Sequence, residues 1–295
     1  MSESRATKPG ARAGDTPSRE EGAVSGLYLY GITRQLDDVA IRLPDAAEGN
    51  DGEHVRLAVG DGLAAVVRRT PLAPSENGAL ELGVGDVRQL EAMVHHHNDV
   101  VSAIHAQRAI LPAKFGCVYA SEEDVLSALA GERDALLALL ERLEGCDEWG
   151  VHVYADPALI GERLAAADPR VRRLREELAA SSAGKAYLLK RRLADCEAEV
   201  ARASLDLIAR EVHEALARHA LDDRATIPPR RSLAPDVDVE VLRAAYLVRR
   251  EASATFFEEL DAIGAREGVR CEQSGPWPPY SFAVPASEAG EEAAP

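Results

Sequence analysis

After Gly184, apolar residues return at helical spacing for about 36 positions: Leu189, Leu193, Cys196, Val200, Leu207, Val212 and Leu216 lie near one face. At the ordinary rise per residue this is a rod of roughly 54 Å. Any fold for the chain has to accommodate that rod, and the segments around it say how. Upstream, Trp149, Val151 and Val153 alternate with Gly150, His152 and Tyr154, the period of a strand. Asp156-Pro157 and Asp168-Pro169 each cap a short helix. Downstream, Ala225 to Leu233 is a weaker strand that Pro228-Pro229 confines to a sheet edge. Val241 to Val248 is a strand, Ala252 to Arg266 a helix ended by Gly268, and Val269 to Gln273 a last strand. The order strand, helices, strand, strand, helix, strand is the split βαβ, or ferredoxin-like, arrangement.

The first half reads as a smaller unit. Leu27 to Ile32 is a strand, and His54 to Val59 and Leu63 to Val67 form a hairpin about Gly60-Asp-Gly62. Pro71 to Gly85 is expected to be a loop. Asp86 caps a helix whose inner face is Val87, Leu90, Val94, His97, Val101, Ile104 and Arg108. Ile110 to Tyr119 is strand-like, and Ser121, with Asp124 at capping-box spacing, opens one helix through Leu143. The fold class expected is therefore α+β, with an N-terminal α/β domain over 27–146 and a ferredoxin-like domain with the long helix over 147–274. A Pro/aromatic segment at 275–285 follows. Residues 1–26 and 286–295 hold too little apolar surface to offset chain entropy and are expected to be disordered tails.

Charge narrows the function. Fifty acidic against 34 basic residues give a net charge of −16, which argues against binding nucleic acid through its phosphates. No apolar run approaches the ~18–20 residues of a membrane helix, and the N-terminus lacks a secretory core. Cysteines 117, 146, 196 and 271 form no CxxC pair, so neither a zinc ribbon nor a disulfide framework is expected, and a cytoplasmic location is.

Four stretches carry candidate chemistry. His95-His-His97 lies on the helix from Asp86, but no histidine pair there has the i, i+4 spacing of a metal site. Ser182-Ala-Gly-Lys185 resembles the end of a phosphate loop, with Ala179 and Ala186 where that loop needs a glycine and a hydroxyl. Arg170, Arg172, Arg173, Arg175, Lys185, Lys190, Arg191 and Arg192 put eight cations into 23 residues of an acidic chain. They are either a solvated face or a docking surface for an acidic partner. Gly275-Pro-Trp-Pro-Pro-Tyr-Ser-Phe282 fixes an extended path and concentrates Trp277, Tyr280 and Phe282. It is suited to clamping one domain on another, with Trp277 as the anchor, or to presenting aromatics to a partner.

That last segment closely resembles the C-terminal signature of the GvpL/GvpF family of gas vesicle proteins. Tyr28-Leu-Tyr-Gly31, Leu111-Pro-Ala-Lys-Phe-Gly116 and Gly184-Lys-Ala-Tyr-Leu-Leu-Lys190 resemble the family at the corresponding places, so the likeness spans about residues 27 to 284. Ala113 and Cys117 are small departures around the middle motif. The resemblance implies two α/β domains, the second ferredoxin-like, and a non-enzymatic role in gas vesicle formation. It also implies location at the gas vesicle. The partners implied are the major shell protein and other accessory gas vesicle proteins. No catalytic, cofactor or metal residues are expected, and the oligomeric state is left open. The rival is a small-molecule-binding protein or enzyme on a ferredoxin-like scaffold, supported by the histidines beside Lys114 and Tyr119. A metal-responsive regulator would rest on the same histidines.

Overall fold

The computed structural model describes residues 24–35, 54–74, 80–82, 86–228 and 238–283. Two sheets organise it. The first contains β1 (Val24–Arg34), β2 (Arg56–Gly60), β3 (Leu63–Pro74), β4 (Leu80–Leu82), β5 (Ile110–Pro112) and β6 (Val118–Tyr119). Its helices are α1 (Val87–His105), α2 (Glu122–Gly131) and α3 (Arg133–Leu143). The second contains β7 (Cys146–Ala155), β8 (Asp222–Thr226), β9 (Val239–Arg249) and β10 (Val269–Trp277), with α4 (Pro157–Ala167), α5 (Pro169–Ala179), α6 (Ala183–Ala217) and α7 (Ser253–Gly264).

The expected caps form. Asp86, Asp156 and Asp168 each accept a backbone N–H of the first helical turn, and the Ser121 hydroxyl accepts from Asp124 while donating to its carboxylate. The rod is α6, 35 residues long. Its inner side (Leu205, Ala209, Val212 and Leu216) packs with Val151, Val153, Leu242, Tyr246 and Phe256 in a core over the second sheet. That sheet runs β10-β7-β9-β8, every pairing antiparallel. The first sheet runs β2-β3-β1, with β5 and β6 sharing the far edge of β1.

Several boundaries differ from the sequence reading. β1 begins at Val24, because Val24 to Gly26 continue the ladder with β3 at Leu72 to Thr70. β3 runs through the expected loop to Pro74 and pairs with β4 at Leu80 to Leu82. The expected helix over 121–143 is two helices. Glu132 leaves helical geometry after Gly131, and Arg133 is anchored by its Nε–H donating to the Asp61 carbonyl. The weak strand lies at 222–226, on the edge as expected, and residues 229–233 of that expectation fall outside the described residues. So do residues 1–23 and 286–295 of the expected tails and residues 284–285 of the Pro/aromatic segment.

A further core joins the two sheets. Leu27, Leu29, Leu63 and Val67 meet Leu140 and Leu143 of α3, then Cys146, Leu247 and Phe282. Among the described residues no helix is long and apolar enough to cross a membrane.

Candidate functional site

Three of the four motif segments converge at one junction. In β1 the pairing register shifts between Leu29 and Gly31, a bulge at Tyr30. The shift keeps Tyr28 and Tyr30 toward α1 and lets Ile32 join Leu27 and Leu29 on the opposite side. Gly31 is required by close approach, since a Cβ there would sit 2.6 Å from the Leu111 carbonyl oxygen. Between β5 and β6 the chain loops out through Lys114-Phe115-Gly116, held to β1 by Ala113 N–H on the Tyr30 carbonyl and Leu29 N–H on the Cys117 carbonyl.

His97 of α1 sits where these segments meet. Its ring stacks on Tyr30 at 5.7 Å and meets the edges of Tyr28 and Phe115, with Tyr280 at 6.3 Å. The Tyr28 hydroxyl lies 2.7 Å from His97 Nδ1 and accepts the Gly116 N–H. The contact fits a neutral imidazole, one of the two groups donating to the other according to the tautomer. Burial agrees: it pulls the imidazole down to about 4 and pushes the Tyr28 phenol well above its usual range.

The C-terminal segment closes the junction from the second sheet. β10 pairs with β7 to Ser274 and again at Trp277, and Gly275 makes the step between at φ +131°. A side chain at Gly275 would be strained by that φ and would meet Trp149 and the Glu148 carbonyl. Glu148 then accepts both the Ser281 N–H at 2.8 Å and the Ser281 hydroxyl at 2.6 Å. Burial raises the Glu148 carboxyl, and the two Ser281 bonds oppose that rise. The Tyr280 hydroxyl donates to Asn98 Oδ1 on α1, and Phe282 is fully buried in the core shared by both sheets. Trp277, the expected anchor, is 49% exposed with its indole N–H on the Ser274 hydroxyl, so the clamp is Phe282 instead. Beside it, His105 Nε2 lies 2.8 Å from Asp147 Oδ1, and Arg250 donates to Asp147 and to the His105 carbonyl. Burial works against the Asp147 carboxylate, but those two partners hold it below the usual range.

The fourth motif lies far from this junction, on the outer half of α6. There Leu193, Cys196 and Val200 pack toward Ala165 of α4 and Val171 of α5 and Leu189 is buried, while Tyr187 and Leu188 stand in solvent. The eight cations divide. Arg170 pairs with Asp168 and Glu199, Arg173 with Glu177, and Arg175 with Glu197. Arg172, Lys185, Lys190, Arg191 and Arg192 are exposed and make no ion pair among the described residues.

Residues 26–284 match the model of the family described as gas vesicle synthesis protein GvpL/GvpF. The chain belongs to the GvpL/GvpF family. Gas vesicle protein L of Streptomyces sp. (strain CB03234) is 34% identical over 88% of this chain and 94% of its own length. Gas vesicle protein F of the same strain is 26% identical over 86% and 98%. The crystal structure of GvpF from Anabaena sp. PCC7120 superposes with a TM-score of 0.65 at 20% identity, over 89% of this chain and 99% of that one, a likeness of fold.

In this GvpL/GvpF protein the three consecutive histidines of α1 take different partners. His95 is exposed with Glu91 3.9 Å away, His96 packs edge-on to Tyr30, and His97 is engaged by Tyr28. Among the described residues no three His, Cys, Asp or Glu side chains group to hold an ion. Of the pair expected beside them, Tyr119 is tied into β6 opposite Leu27. Gly184 and Lys185 lie inside the first turn of α6, which starts at Ala183 with no side-chain cap from Ser182, unlike a phosphate loop. The four cysteines are free, and burial raises Cys271 to about 11. Grooves do border the helical layer. One of about 480 Å³ runs along Leu159, Leu207, Ile208 and Val269, and another of about 710 Å³ is lined by Arg170, Arg173, Glu177, Arg192 and Glu199, most of them paired with carboxylates or cations. Sequence reasoning missed Asn98, Glu148, Asp147 and Arg250. Each has a partner at least 100 positions away or on another element, and no local pattern marks it.

Proposed function

We propose that this protein serves gas vesicle assembly, as an assembly factor or minor structural component. It acts by contact with the major shell protein and other accessory gas vesicle proteins, without catalysing a reaction, in the cytoplasm at the vesicle. The observation that carries the reading is the family match over 26–284. It is supported by what the motif residues do: at the junction they lock two sheets together, and on α6 they face solvent. Neither arrangement presents convergent titratable groups to an enclosed substrate, as the small-molecule rival would need. We also read the chain as two domains, 27–146 and 147–274. Counting strands within the second, its sheet runs fourth, first, third, second and fully antiparallel, which supports a ferredoxin-like assignment.

The test is co-expression with the major gas vesicle shell protein and affinity recovery at low and high salt. Specific recovery is expected. Deleting the gene in the producing strain should stop or misshape vesicles, and unchanged vesicles after deletion would refute the role.

A further inference from the structure

The outer face of α6 has the composition of a contact surface, and among the described residues nothing covers it. At 100° per residue, Gly184, Tyr187, Leu188 and Arg191 share the side opposite buried Leu189 and opposite Leu193, Cys196 and Val200, which pack inward. Tyr187 is 73% exposed and Leu188 62%, and a Cβ built on Gly184 meets nothing within 4 Å. Lys185, Lys190 and Arg192 flank this strip, and Arg172 stands on neighbouring α5. On neighbouring α5, Arg170, Arg173 and Arg175 are each paired with a carboxylate. Here the cations stay unneutralised among the described residues, beside an exposed Tyr-Leu pair.

We propose that this face docks an acidic amphipathic helix from a partner protein. The partner's carboxylates would meet Lys185, Lys190, Arg191 and Arg192, and its apolar stripe would cover Tyr187 and Leu188. Charge complementarity selects that occupant. With a net charge of −16, the rest of the molecule repels an acidic partner, so this local reversal sets where and in which orientation it lands. A helix is favoured over a strand, because the face of a helix offers no free backbone N–H or C=O row for strand addition, whereas its i, i+3, i+4 ridges match another helix. The inference rests on the reading above, that the protein works by protein contact.

The test uses the full-length chain and a labelled synthetic peptide of about 18 residues, five helical turns, with a leucine stripe flanked by glutamates. A scrambled peptide of the same composition is the control. The patterned peptide should bind, more weakly as salt rises, and the scrambled one should not. Arg191→Glu with Arg192→Glu, and separately Tyr187→Ala with Leu188→Ala, should each weaken binding roughly ten-fold or more, the scale of a lost charge pair or anchor. Arg210→Glu, also exposed on α6 but roughly 28 Å further along, should leave it unchanged. Equal binding of the scrambled peptide, or indifference to both double substitutions, would overturn the proposal. So would self-association of the wild-type chain that Arg191→Glu with Arg192→Glu abolishes, since the occupant would then be a second copy. In cells, the double charge reversal should stop vesicle formation at unchanged protein level. Full vesicle formation with that variant would refute the docking face alone. Vesicles formed without the protein would refute the assembly role and leave the peptide result standing.

Discussion

Removing the ring of Phe282 tests the clamp more directly than any change at the motif's exposed end. Phe282 has no solvent exposure and touches the core in which Leu27, Leu29, Leu140, Leu143 and Leu247 meet, so it bridges elements of both sheets. The Arg224 guanidinium lies 5.0 Å from its ring centroid. Truncating such a phenylalanine to alanine costs about 3–5 kcal/mol, and losing the cation–π contact adds up to about 1 kcal/mol. For a protein stabilised by about 5–15 kcal/mol this is roughly a fifth of the total or more. Trp277 provides the internal comparison. At 49% exposure it withdraws about half of a ~200 Å² side chain from water, and at ~25 cal/mol per Å² that is worth roughly 2 kcal/mol. The assay is urea unfolding followed by far-UV circular dichroism, which avoids relying on a fluorophore that one variant removes. Phe282→Ala should shift the midpoint about twice as far as Trp277→Ala. Equal shifts, or a Phe282→Ala cost below about 1 kcal/mol, would refute the assignment of the clamp to Phe282.

His97 makes stability depend on pH: its folded value, near 4, lies below its ordinary value of 6.5, so the unfolded chain takes up the proton first as pH falls. Stability is then full above about pH 7 and declines by about 3 kcal/mol between 6.5 and 4, and His97→Gln should flatten that decline in unfolding midpoints measured across the range. Gly31→Ala would drive a Cβ against the Leu111 carbonyl and Ile110, and should lower stability by about 3 kcal/mol or more in thermal melts. Ser281→Ala removes the hydroxyl bond to buried Glu148, and a loss of about 1–3 kcal/mol is expected in the same urea assay. Tyr187→Ala, by contrast, should change the unfolding free energy by no more than about 0.5 kcal/mol, because the side chain stands in solvent.

Local chemistry made much of the fold legible. Asp86, Ser121, Asp156 and Asp168 cap the helices they announced, and the Gly60-Asp-Gly62 turn forms with both Asp61 and Gly62 at positive φ. The length of α6 followed from periodicity alone, because only a single unbroken helix keeps apolar residues on one face over about ten turns. Elsewhere tertiary context overrode the local pattern. Val87, Leu90 and Val94 carry the right spacing for an inner face, yet they are exposed, and α1 is buried only from His97 through Val100, Val101, Ile104 and His105. Pro71 and Pro74 suggested a loop, but β3 continues through both to pair with β1 and β4. In the C-terminal segment the aromatic content was visible, but not which ring turns inward. That choice is made by Gly275 and by Glu148 gripping Ser281, 133 positions apart in the chain.

The four motifs differ in whether the molecule itself accounts for them. Tyr28, Gly31, Gly275 and Phe282 are each explained by a contact inside the molecule and Gly116 by its φ of +88°, so their presence needs no partner to account for it. The stretch Gly184 to Lys190 is different. Only Leu189 in it is buried, and the helix would form as well with other exposed residues at 187 and 188. Leaving a tyrosine and a leucine in water gains the folded state nothing, because that area is not removed from solvent on folding. A gain appears only when something else covers it. A rod of ~50 Å, anchored by its C-terminal half against the second sheet, holds that uncovered face away from the rigid junction. The junction therefore sets the geometry of the molecule, and the outer end of α6 is where a contact can be made without disturbing it.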